Sequence, residues 1–205
     1  MVTFLLLATL VLPFSAEADD AIRVLAFGDS LTAGYGLAKT DSFPAKLERS
    51  LLEHGLNVTV INAGVSGDTT AGGWARIAWA LENDPQMAIV ELGANDAMRG
   101  IDPGATWHNL DAIVTAFKEH GVAVLLTGML APPNYGDKFA EIFDGIYPRL
   151  ADRHGIVLYP FFLDGVAADP ALNQADGIHP TAAGVDLIVE RMLPYVLRVL
   201  GPASQ

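Results

Sequence analysis

Ser30, Asp176 and His179 are the residues of this 205-residue chain whose types and surroundings suit nucleophilic chemistry carried out together. Of the six serines, Ser30 alone directly follows an apolar run through a Gly-x turn, Gly28-Asp29-Ser30. Thr32, Gly34 and Gly36 continue it as a loop that can come close to a substrate. A hydroxyl is a weak nucleophile without a base. His179 follows Asp176 in the Gly- and Pro-flanked run Asp176-Gly177-Ile178-His179-Pro180, so one short segment can deliver both a base and the carboxylate that fixes its tautomer. The other histidines read differently: His54, His120 and His154 fall at predicted helix ends, where a cation suits the last carbonyls, and His108 lies early in a helix. Acyl transfer also needs donors for the oxyanion. Gly64 in Asn62-Ala63-Gly64-Val65-Ser66-Gly67 can turn its N–H outward, Asn95 in Gly93-Ala94-Asn95-Asp96 can offer a side-chain amide, and Ser30 adds its own N–H. Together these groups cover the roles that ester hydrolysis requires.

Such residues act only if a scaffold converges them, and the patterning of the chain describes one. Apolar runs at 22–27, 58–62, 87–92, 122–127 and 156–159 read as buried strands. Helical periodicity falls between and after them, at 42–54, 70–82, 105–120, 138–154 and 181–200, with Gly55, Pro85, Gly121 and Gly155 as stop signals. Regular strand–helix alternation implies a parallel sheet with right-handed crossovers and helices on both faces, a doubly wound three-layer α/β/α domain. In such sheets ligands bind beyond the carboxyl ends of the strands. Ser30, Gly64 and Asn95 all stand just after a strand, and Asp176 and His179 just before the last helix. No internal repeat, linker or low-complexity tract interrupts the pattern.

Composition narrows the function further. With 12 basic against 24 acidic residues the formal charge is −12, which disfavours nucleic acid and anionic membrane surfaces as partners. A 51% hydrophobic content suits one globular domain and excludes a disordered acidic chain. The absence of cysteine removes thiol nucleophiles, disulfides and zinc–cysteine sites. Residues 3–14, nearly all apolar and followed by Ser15-Ala16-Glu17-Ala18, read as a signal peptide over 1–18 ahead of a single domain over 19–205, although Met1-Val2-Thr3 holds no basic residue. That reading predicts a periplasmic or secreted protein. No later run is long and apolar enough for stable membrane insertion.

The four blocks Gly28-Asp29-Ser30-Leu31, Asn62-Ala63-Gly64, Gly93-Ala94-Asn95-Asp96 and Asp176-Gly177-Ile178-His179-Pro180 resemble, in order and spacing, those of the SGNH (GDSL-type) hydrolases. The resemblance runs from Ile22 to Leu197, and the Met98-Arg99-Gly100 and 131–136 segments look most like the thioesterase I, lysophospholipase and arylesterase branch. It implies a flavodoxin-like five-stranded parallel sheet of order 2-1-3-4-5. It further implies Ser30 as nucleophile, His179 as base, Asp176 as its partner, and an oxyanion hole from Ser30, Gly64 and Asn95. The substrate implied is a small-molecule ester or thioester (an aryl ester, an acyl ester or a lysophospholipid), handled by a monomer without metal or organic cofactor. The Gly-x-Ser-x-Gly elbow of the α/β-hydrolases is absent, since Leu31 and Thr32 follow Ser30.

Blander readings stand beside these. Ser30 as a turn or cap serine and Asp176 as a plain N-cap are the defaults for isolated residues. Asp29, Asp96, Asp176 and His179 could hold a metal ion, although Asp29 and Asp96 fit better as braces on loop N–H groups. A carbohydrate acetylesterase on the same fold and a non-catalytic flavodoxin-like binding module are the rival functions. Trp74, Ile77 and Trp79 are expected in the core. Acyl contacts are expected from two loops, one beginning at Ala97 and ending at Asp102, the other from Leu130 to Asp137, the second stiffened by Pro132 and Pro133.

Overall fold

Five short apolar runs, each flanked by a turn signal, become five strands, buried most completely at the centre of the sheet. In a computed structural model, which describes residues 21–201, they are β1 (Ile22–Gly28), β2 (Val58–Gly64), β3 (Met87–Glu91), β4 (Ala123–Thr127) and β5 (Val157–Tyr159). The proposed leader lies outside the described residues. All neighbours are parallel, in the order β2-β1-β3-β4-β5. The expected α/β architecture is therefore present. Register aligns the carboxyl ends: Gly28 pairs with Gly64 on one side and with Glu91 on the other. Every residue of β3 is buried, as the central position demands.

The helices are α1 (Ser30–Ala33), α2 (Phe43–Glu53), α3 (Thr70–Ala75), α4 (Ile77–Leu81), α5 (Ala94–Met98), α6 (Pro103–Glu119), α7 (Asp137–Asp144), α8 (Ile146–His154) and α9 (Ala182–Leu200). α2 packs on α9, while α3 and α8 pack on α6, so two helical layers enclose the sheet. Phe27 meets Phe117 edge to face at 5.6 Å in one layer, and Phe43 meets Phe162 at 5.2 Å in the other.

Two expected helices are each broken in two. The 70–82 segment divides at Arg76, whose backbone leaves helical geometry (φ −111°, ψ 13°) while its guanidinium reaches the Gly28 and Ala63 carbonyls, both at 2.9 Å. The 138–154 segment divides at Gly145 because Pro148 cannot donate to Asp144 and its ring would crowd that carbonyl. The first break also corrects the expectation for the tryptophans. Trp74 is 43% and Trp79 50% exposed, whereas Ile77 is buried. α3 lies too close to the sheet for an indole: a Cβ on Gly73 would stand 2.4 Å from Leu92 Cδ1, so the inward face is built from Gly73, Ile77 and Ala80.

Candidate active site

Ser30 opens α1, a four-residue helix set at the end of β1 and capped by Asp29, whose Oδ1 accepts the Leu31 N–H at 3.0 Å. As the first helical residue, Ser30 has no acceptor within α1 for its N–H. His179 reaches it from the loop before α9, with Nε2 at 2.9 Å from Ser30 Oγ. Nδ1 of the same ring lies 2.7 Å from Asp176 Oδ2. Asp176 is fixed in turn by the Ile178 and His179 N–H groups, which donate to Oδ1 at 2.9 and 3.0 Å. Those backbone donors, with the His179 ring, hold its carboxyl down at about 2, so it is an anion wherever an imidazole titrates. Its charge sets Nδ1 as the protonated nitrogen and leaves Nε2 free to accept from Ser30. The Tyr35 ring lies over the imidazole at 4.5 Å. Gln174 ties the two loops by donating to the Tyr35 and Pro180 carbonyls at 2.8 and 2.9 Å.

The three expected oxyanion donors come from adjacent strand ends. Asn95, in α5 after β3, is buried and donates through Nδ2 to Asp29 Oδ2 at 2.9 Å, which leaves it one further N–H. Burial pushes the Asp29 carboxyl up to about 6 against the pull of the Leu31 and Asn95 donors. Gly64 ends β2 where a Cβ would stand 2.3 Å from Ala33 N and 2.8 Å from Asp29 O, so only glycine lets this strand end approach the serine turn. Its N–H is engaged by Asn62 Oδ1 at 3.0 Å and must leave that partner to serve a substrate.

The four acidic and histidine groups weighed as a metal site are otherwise employed. Asp96 accepts from the Thr70 N–H and hydroxyl at 2.8 and 2.5 Å and from the Thr106 hydroxyl at 3.2 Å, bracing α3 and α6 behind the site. Among the described residues no group of three or more His, Asp or Glu is arranged for a metal ion.

Beside Ser30 lies an apolar cavity of about 170 Å³. Met98 of the first expected loop and Leu130 and Pro132 of the second line it, and Tyr135 joins the two by donating to the Met98 carbonyl at 2.9 Å. Phe161, Leu163 and Ala167, from the stretch after β5, form another wall that sequence reasoning missed. The aromatic pair Phe161-Phe162 directly after a strand end was the available signal. Glu91 was also missed. It is a carboxyl group closing an otherwise apolar strand, and the structure buries it fully under the serine turn.

Residues 26–187 match the GDSL-like lipase/acylhydrolase family. An arylesterase from Vibrio mimicus is 41% identical over 187 residues, covering 90% of this chain and 94% of its own. Esterase TesA of Pseudomonas aeruginosa is 37% identical over 201 residues, 98% of this chain and 100% of its own. The crystal structure of AlinE4, an SGNH-hydrolase family esterase, superposes with a TM-score of 0.75 at 49% identity, covering 89% of this chain and 98% of that one.

Proposed function

Since this chain belongs to the GDSL-like lipase/acylhydrolase family and is a carboxylic ester hydrolase, we propose that it works through an acyl-enzyme on Ser30. The observation that carries this reading is the continuous chain Ser30 Oγ to His179 Nε2 at 2.9 Å and His179 Nδ1 to Asp176 Oδ2 at 2.7 Å, set at the carboxyl edge of the sheet. Nε2 takes the Ser30 proton as Oγ attacks the ester carbonyl. Charge then moves to the carbonyl oxygen, where the Ser30 N–H and the free Asn95 N–H receive it. The Gly64 N–H joins them once it releases Asn62. The proton passes from His179 to the departing alcohol or thiol, and a water activated by the same nitrogen releases the acid.

The apolar cavity favours an acyl chain over the acetyl group of a polysaccharide, because its walls offer Leu31, Met129, Leu130, Phe161 and Leu163 where a sugar would need polar partners. On this reading the substrates are aryl esters, acyl esters, lysophospholipids and acyl thioesters, the enzyme is a monomer, and the leader directs it to the periplasm or outside the cell. Among the described residues no helix is long and apolar enough to cross a membrane.

The test is direct. Ser30→Ala should abolish p-nitrophenyl ester turnover and labelling by a fluorophosphonate while leaving the unfolding temperature unchanged; turnover that survives would refute the nucleophile assignment. Asn95→Ala should lower kcat by roughly a hundredfold to a thousandfold with little change in KM. Rates over a series from acetyl to palmitoyl esters should rise beyond acetyl, and a maximum at acetyl would favour the carbohydrate esterase instead.

A further inference from the structure

Glu91 is a fully buried carboxyl group that this mechanism leaves without a role. It is the last residue of β3, in register with Gly28, directly beneath the turn that carries Ser30. Gly28 makes room for it: a Cβ there would lie 2.5 Å from Glu91 Oε2 and 2.1 Å from the Thr32 hydroxyl. Oε2 accepts from Thr32 Oγ1 at 2.8 Å and from the Asp29 N–H at 3.3 Å. No donor reaches Oε1, which is buried. An ionised carboxylate with a bare oxygen in such a place costs far more than a protonated one.

The neighbour of Glu91 there is Asp29, whose backbone N–H donates to Glu91 Oε2 and whose own carboxyl is buried with it under the same turn. Two neighbouring carboxyl groups shut off from water resist ionising together, so one proton is assigned to the pair. Donors decide where it resides. Asp29 accepts two N–H groups, from Leu31 at 3.0 Å and from Asn95 at 2.9 Å, and it faces His179, whose positive charge during turnover favours its anion. Burial, then the adjacent Asp29 charge, pushes Glu91 well above the usual carboxylate range. The other ionisable groups near the pair are engaged elsewhere. Tyr147 of α8 donates its hydroxyl to the Leu92 carbonyl, and its own ionisation is pushed up by burial. Asp96 is held by Thr70 and Thr106, and Arg76 is spent on the Gly28 and Ala63 carbonyls and on Asp68.

We propose that Glu91 is a positioning residue for the oxyanion hole: kept protonated, it gives a hydrogen bond to the Asp29 carboxylate, which accepts one Asn95 N–H and so orients the other toward the developing charge. The proposal rests on Asn95 being an oxyanion donor. Glu91 touches no reacting atom, and its influence passes through Asp29.

A double-mutant cycle separates the two ideas. Glu91→Met, which keeps the bulk and removes the donor, should lower kcat by about tenfold with KM nearly constant. In an Asn95→Ala background the same change should cost almost nothing more. If Asn95→Ala alone leaves kcat intact, the oxyanion reading fails and takes the proposal with it. If Asn95→Ala is severely impaired but Glu91→Met multiplies that loss undiminished, Glu91 is merely structural and only the proposal fails. Glu91→Gln, which retains a donor without a charge, keeps the question open to measurement should Glu91→Met not fold. It should stay within about threefold of the wild-type kcat. The infrared difference spectrum between wild type and Glu91→Gln at neutral pH should show the C=O stretch of a protonated carboxyl. Its absence, or a Gln variant as impaired as the Met variant, would overturn the assignment.

Discussion

Asp176 and Asp29 are two aspartates of one site with opposite protonation behaviour, and the contrast fixes how activity should depend on pH. Asp176 is exposed and held near 2 by backbone donors, so it stays charged throughout any practical assay. Asp29 is buried and pushed up to about 6. Protonating Asp29 therefore opposes catalysis on the acid side, because it neutralises the carboxylate that fixes Asn95. A plot of log kcat/KM against pH should fall below pH about 6 as Asp29 gains its proton, and Asp29→Asn should lower the plateau and remove that fall. The same fall in Asp29→Asn would mean that the Asp29 charge does not control the limb. The difference in legibility between these residues has the same origin. Ser30, His179 and Asp176 could be read from the chain because each is marked locally, by a Gly-x turn or by three-residue spacing. Glu91 acts through contacts with Asp29 and Thr32 beyond the end of the neighbouring strand, and no local pattern announces such contacts.

Element boundaries were readable where a local cause set them and obscure where a distant one did. The five strands and the last helix fall within a residue or two of their apolar runs, and the break before α8 follows from Pro148, a signal present in the chain. The break between α3 and α4 has a tertiary cause. Arg76 leaves the helix to clip the ends of β1 and β2 together: its guanidinium bonds both strand-end carbonyls, pairs with Asp68 at 2.7 Å and lies 4.0 Å above the Phe27 ring. This clip holds the strand end that carries Ser30 against the one that carries Gly64. Arg76→Ala should cost about 2 kcal/mol of stability, since two half-buried carbonyls lose a charged donor. It should also lower kcat, because the serine turn loses its anchor. Urea denaturation together with ester kinetics would check both, and a stability loss with unchanged kcat would show that the turn is held by other contacts.

At the scale of the whole molecule, the strongest asymmetry is between an apolar cavity and a chain of formal charge −12 around it. The cavity selects for acyl chains at contact distance, while the net charge acts over the longer range of the Debye length, roughly 10 Å at 0.1 M salt. The two influences separate when the leaving group is varied at constant acyl chain. A thioester with a multiply anionic leaving group meets a repulsive field that a p-nitrophenyl ester does not, although both place the same chain on Phe161 and Leu163. Raising the ionic strength from ~0.01 to ~0.15 M should therefore increase kcat/KM several-fold for the anionic thioester and leave the neutral ester flat. The change should appear in the second-order rate and not in kcat, because screening alters encounter rather than chemistry once substrate is bound. Parallel salt responses for the two substrates would place the acidic residues too far from the mouth to steer anything. A fall for the thioester would reveal a local positive patch, and Arg99, on the turn after α5 with its guanidinium on the Gly67 carbonyl, would be the first residue to replace.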